Sequence, residues 1–124
     1  MNPREECPCG RGEPYAACCG RFHAGEVAPT AELLMRSRYS AFALGDVPYL
    51  RRTWHPRTRP RRVLLDPDQR WTRLDVLHLG GGGLLDTEGT VEFRAHSSSG
   101  VLHEHSRFVR EKGAWLYLDG VLTA

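Results

Sequence analysis

Only one lysine, Lys112, occurs in the 124 residues; the other basic side chains are arginine and histidine. No apolar run approaches the roughly 20 residues that a helix needs to cross a bilayer, so membrane insertion is not expected. The opening stretch Met1-Asn2-Pro3-Arg4-Glu5-Glu6 carries acids and lacks the apolar segment of a secretory signal, which makes a cytoplasmic location the expectation. Internal repeats and low-complexity tracts are absent. So are a nucleophile motif, a phosphate-binding glycine loop and a dinucleotide fingerprint; the run Gly80 to Gly83 has no helix after it. Cysteine is missing from residue 20 onward, and acids are missing between Asp46 and Asp66. What borders these last two gaps carries most of the functional information.

All four cysteines fall within CPCGRGEPYAACCG, residues 7–20. Residues 1–23 are rich in Cys, Gly and Pro and have no apolar periodicity, so they cannot bury a core of their own. A reducing cytoplasm argues against disulfides, and closely spaced or adjacent cysteines bridge only with strain. Free buried thiols would need a core that this segment lacks. A redox pair would need a thiolate-stabilising helix start directly after the first cysteines. Four thiolates around one tetrahedral Zn²⁺ satisfy every constraint and leave no open coordination position. The expected ligands are Cys7, Cys9, Cys18 and Cys19, with His23 the substitute for Cys19. Gly10 and Gly12 are expected at positive φ, and Pro14 to Ala17 in a single helical turn that delivers Cys18 and Cys19, with Gly20 as its stop. Such a site would also cancel the formal net charge of +2.

After a linker at 24–29 the pattern turns helical. Thr30 caps a helix over 31–44, Glu32 suits its first turn, and Gly45 ends it. Asp46 caps a second short helix running to about Trp54, with Pro48 tolerated in its first turn. From Trp71 the period becomes two: strands are expected over 71–79, 90–96, 101–110 and 114–122, separated by short glycine turns, with a further short strand at Val63-Leu64-Leu65. Helices followed by an antiparallel meander make an α+β fold: a zinc knuckle, residues 1–23, and a domain over 24–124 in which helices cover one face of a curved antiparallel sheet.

The segment CPCGRGEPYAACCG resembles the SEC-C motif, the zinc-binding tail of the SecA translocation ATPase that is attached to many otherwise unrelated bacterial proteins. AELLMRSRYSAFALGDVPYLRRTWHPRTRP, VEFRAH, HEHSRFVRE and WLYLDG resemble the main domain of the YchJ family. The resemblance covers almost the whole chain and implies a cone-shaped, nuclear-transport-factor-2-like domain after the knuckle. It also implies a protein partner, with SecB-type chaperones or the ribosome as candidates. Arg11 and Glu13 stand where the motif usually has Ser and Lys; neither is a ligand, but a partner surface built on that lysine would differ.

A fold of this kind hosts both enzymes and plain binding or dimerisation domains, so the residues must decide. Strand alternation puts Glu104 with Leu102 and Phe108, a carboxylate in apolar company if that face lines the cone. His78 and Trp54 are candidates to share the pocket with it, which would suit acid–base chemistry or small-molecule binding. The plainer expectation is that Arg36 or Arg38 neutralises Glu104 as a structural ion pair. His103 and His105 share the opposite face without an evident third metal ligand. The acid-free stretch concentrates Arg51, Arg52, Arg57, Arg59, Arg61 and Arg62, an expected anionic contact surface suited to ribosomal RNA. The leading reading is a zinc-containing, non-catalytic adaptor whose cone adds a pocket or a homodimer face; the alternative is a ligand-binding protein or enzyme that uses the cone.

Overall fold

The computed structural model describes residues 2–123. Their elements run in chain order as a 3₁₀ turn (Tyr15–Ala17), α1 (Cys19–His23), α2 (Ala31–Leu44), α3 (Val47–Arg52), β1 (Trp71–Gly81), β2 (Glu88–Ser97), β3 (Gly100–Glu111) and β4 (Ala114–Leu122). The four strands form one antiparallel meander in the order β1-β2-β3-β4. This is the α+β architecture that the change of sequence period implies.

Capping sets the helix limits. Thr30 Oγ1 accepts from the Leu33 amide at 3.2 Å at the start of α2, and Asp46 Oδ1 accepts from the Tyr49 amide at 3.1 Å at the start of α3. Two expectations fail. Val63 to Leu65 form no strand: Val63 and Leu65 pack against the core by their side chains while Leu64 is exposed, without pairing to the sheet. Gly20 does not stop a turn but lies inside α1, where it meets Tyr15 closely.

The core is built where α2 crosses the inner face of the sheet. Leu34, Met35 and Tyr39 pack on Leu74, Val91, Phe93, Ala95, Phe108 and Trp115. Beyond α3 the chain runs alongside β4: Tyr117 N donates to Thr53 O and His55 N donates to Tyr117 O, both at 2.8 Å. That pairing sets Trp54 edge-on to Tyr117, with ring centroids 5.2 Å apart. The same cluster of buried residues includes the four cysteines and Phe22, so the cysteine segment sits against α2 and does not stand apart from it.

Candidate metal centre and sheet cavity

The cysteine segment is a miniature hairpin. Glu6 bridges Pro14, Cys7 N donates to Glu13 O at 2.9 Å, and Gly10 N closes a turn on Cys7 O at 3.2 Å. Gly10 and Gly12 adopt φ of 83° and 85°, as their roles in that turn require. The 3₁₀ turn then returns the chain, so that Cys18 and Cys19 face Cys7 and Cys9.

All four sulfurs lie within 4.8 Å of one another, and each cysteine is at most 2% exposed. Cys9 Sγ and Cys18 Sγ are 3.5 Å apart, far beyond the ~2.05 Å of a disulfide, and all four cysteines are free. A tetrahedral thiolate site with metal–sulfur bonds of about 2.3 Å separates its sulfurs by roughly 3.8 Å. The arrangement fits a metal ion without rearrangement.

Electrostatics point the same way. Burial pushes the Cys18 thiol up to about 12, and bonding to Cys7 pushes Cys19 up as well, while bonds from the Cys19 and Cys9 thiols pull Cys7 down. Thiolates cannot accumulate in so tight a group unless a cation offsets them.

His23 stands outside the cysteine group. Its Nε2 donates to Ser37 O at 2.8 Å, leaving Nδ1 to accept from the Tyr15 hydroxyl at 2.6 Å. It ties the knuckle to α2. Other bonds of this sort come from Ser40 Oγ, 3.5 Å from Cys7 Sγ, and from Arg36 Nη1, which donates to Cys9 O at 3.0 Å.

Arg36 is therefore placed beside the cysteine cluster and paired with Glu32 at 2.9 Å, not in the cone pocket. Position 36 and position 38 sit on different sides of α2, and only Arg38 points at the sheet. His78 also lies elsewhere. An extra residue between Val76 and His78 bulges β1 against β2, so that Val76 opposes inward-facing Phe93 while His78 opposes outward-facing Glu92. Simple alternation fails at that bulge, and His78 is exposed on the outer face.

Glu104, Trp54 and Arg38 do converge. They line a cavity of about 210 Å³ between α2 and the sheet, with walls dominated by Phe42, Trp71, Phe93 and Leu102. Glu104 forms no ion pair with an arginine. Tyr117 stands between: its hydroxyl donates to Glu104 Oε2 at 3.2 Å, and its ring carries the Arg38 guanidinium 4.7 Å from the centroid. Ser106 donates to the same Glu104 oxygen. A side chain at position 120 would collide with this carboxylate, so Gly120 on β4 makes its room. Burial, and next the charge of Glu104, push the Tyr117 phenol up, keeping it a neutral donor. Arg38 Nη1 donates to Leu50 O at 2.9 Å and to Thr53 Oγ1 at 2.7 Å; burial lowers the guanidinium to about 10, which leaves it charged at neutral pH. Alternation along β3 puts Ser106 on the face of Glu104, but periodicity alone does not mark Tyr117 and Gly120 as parts of this site.

A profile for the SEC-C motif matches residues 4–21, and one described as YchJ, middle NTF2-like domain, matches residues 30–120. The chain belongs to the YchJ family. A UPF0225 protein of Streptomyces coelicolor is 60% identical over 119 residues, spanning 95% of this chain and 96% of its own length. One from Corynebacterium glutamicum is 52% identical over 120 residues, spanning 94% and 96%. Among solved structures, a SEC-C motif containing protein from Rhodopseudomonas palustris superposes with a TM-score of 0.79 at 34% identity, covering 97% of this chain and 100% of that one. Another, from Psychrobacter arcticus, gives 0.77 at 29% identity, covering 100% and 86%.

In this YchJ-like chain the arginine-rich stretch divides into two sets. Arg51 donates to Pro60 O and Arg61 O, Arg52 to Phe22 O and His23 O, and Arg59 to Trp54 O. These three brace the backbone. Arg57, Arg61 and Arg62 are exposed and carry what remains of the cationic surface expected to contact anions. His103 Nε2 donates to Glu92 Oε2 at 2.7 Å and His105 is exposed; among the described residues the cysteine quartet is the one group with metal-ligand spacing.

Proposed function

We propose that Cys7, Cys9, Cys18 and Cys19 hold one structural Zn²⁺ and that the folded knuckle is a non-catalytic docking head for a protein or ribosomal partner in the cytoplasm. The observation that carries this reading is the completeness of the donor set: four buried thiols fill a tetrahedral shell and leave no position for substrate or water. Zinc suits an all-thiolate tetrahedron, and a closed site contributes shape and stability, not reactivity. Outside that site, residues 2–6 and the loop Gly10 to Glu13 are exposed and offer backbone and charged groups of both signs. By likeness to other SEC-C carriers the partner is a SecB-type chaperone or the ribosome, where Arg57, Arg61 and Arg62 would add phosphate contacts.

The test is affinity purification from lysate with wild type and with a Cys18→Ser, Cys19→Ser variant, after zinc content is measured by elemental analysis. The expected result is one zinc per wild-type chain and loss of specific partners in the variant. Identical partner sets, or metal-free protein after careful reduction, would overturn the reading.

A further inference from the structure

The cavity between α2 and the sheet holds a cation and an anion that do not neutralise each other. Arg38 and Glu104 both line it, yet Tyr117 keeps them from forming an ion pair. Each has capacity left over. Among the described residues, Arg38 Nε and Nη2 have no acceptor, and Glu104 Oε1 has no donor, since both bonds to that carboxylate use Oε2. Trp54, in the same wall, has a buried indole N–H without an acceptor. Buried polar groups are nearly always paired, because an unpaired one costs about 1–3 kcal/mol. The Trp54 N–H is such a group, and with the free atoms of Arg38 and Glu104 lining the same cavity it marks a place for a ligand that completes them.

We infer that this cavity binds a small, neutral, planar aromatic molecule carrying a hydrogen-bond donor and an acceptor on one edge, the chemistry of an aromatic or cyclic amide. Net charge decides neutrality: one cation and one anion in the walls make the cavity neutral overall, so an anion drawn to Arg38 is repelled by Glu104 and a cation drawn to Glu104 is repelled by Arg38. The walls decide planarity, because Phe42, Trp71, Phe93 and Leu102 offer flat apolar faces. Volume decides size; at ~30 Å³ per water, 210 Å³ equals about seven waters, room for a single ring with one substituent. The amide oxygen accepts from Arg38, and the amide N–H donates to Glu104. This inference is independent of the metal and of any docking partner.

Four ring compounds of similar size separate the alternatives on the zinc-loaded full chain: benzamide, benzoate, benzylammonium and toluene. Binding is read by titration of the Trp54 indole resonance in ¹⁵N-labelled protein. Benzamide is expected to bind about tenfold more tightly than the other three, the worth of one charge-assisted hydrogen bond. In Glu104→Gln that preference is expected to shrink while toluene binding holds; Trp54→Phe supplies the resonance assignment. Preference for toluene or no preference would make the cavity merely apolar, preference for benzoate or benzylammonium would make it an ion site, and no binding at saturating probe would remove it as a site. Each of these outcomes overturns the inference.

Discussion

A methyl group added at Gly20 would lie 2.7 Å from the Tyr15 carbonyl oxygen and 2.9 Å from its ring. Real side-chain carbons do not approach backbone so closely, so something must move. What would move is the 3₁₀ turn that aims Cys18 and Cys19, together with the Tyr15 hydroxyl that holds His23. Gly20→Ala is therefore expected to destabilise the zinc-loaded protein by about 1–3 kcal/mol, the usual range for overpacking. Denaturant unfolding monitored at the knuckle measures it; an unchanged midpoint would show that the turn yields freely. Sequence pattern suggests a glycine stop at this position, because glycine after a helical turn is the common ending. The actual requirement is steric and comes from a residue five positions back, which no local rule reveals. Arg36 and Arg38 make the same point: both were plausible partners for Glu104, and only the rotation of α2 separates a knuckle contact from a cavity wall.

At the level of elements, the outer face of the sheet joins β1 to β2 through a small charged network. Arg73 Nε and Nη2 donate to the two oxygens of Asp75 at 2.9 Å, and His96 Nε2 lies 2.9 Å from Asp75 Oδ2. The Arg73 bonds first, and then His96, hold the Asp75 carboxyl down to about 2, against about 3.9 for an unfolded aspartate. A depressed carboxyl stabilises the fold above its unfolded value, and that contribution disappears as pH falls from there towards 2. Wild type is expected to be more stable than Asp75→Asn at neutral pH, and the two are expected to converge between about pH 4 and pH 2. Urea unfolding across that range tests it, and a pH-independent gap would refute it. Elements of this kind are partly legible in sequence. α2 can be read to the residue because Thr30 and Gly45 punctuate an apolar stripe, and the meander can be read because glycine turns interrupt a period of two. The bulge between Val76 and His78 has no such signature. It moves the β1 side chains after it to the opposite face, which is why His78 is missing from the cavity, whereas Glu104, on the regular stretch of β3, lies where alternation puts it.

The whole molecule has two sources of order. The sheet, α2 and α3 share an apolar core, whereas residues 2–23 bury little besides Phe22 and the cysteines. The knuckle's side-chain bonds to the rest of the chain reach α2 or α3: Cys7 to Ser40, His23 to Ser37, Arg36 to Cys9, Arg52 to Phe22 and His23. None of these bonds touches the sheet. If zinc supplies the knuckle's stability, chelation under reducing conditions is expected to release protons' competitors from the sulfurs and unfold residues 2–23, because the thiols then take up protons and lose their common centre. Amide exchange should rise throughout that segment and, to a lesser degree, around Ser37 and Ser40, where α2 loses its partners. Protection in β2 and β3 should persist, since their cross-strand bonds and apolar face do not depend on the metal. The measurement is hydrogen exchange with and without chelator, compared residue by residue. Simultaneous loss of protection in the central strands would mean that knuckle and cone fold as one cooperative unit, with 1–23 and 24–124 no longer separable in energy although they are separable in sequence.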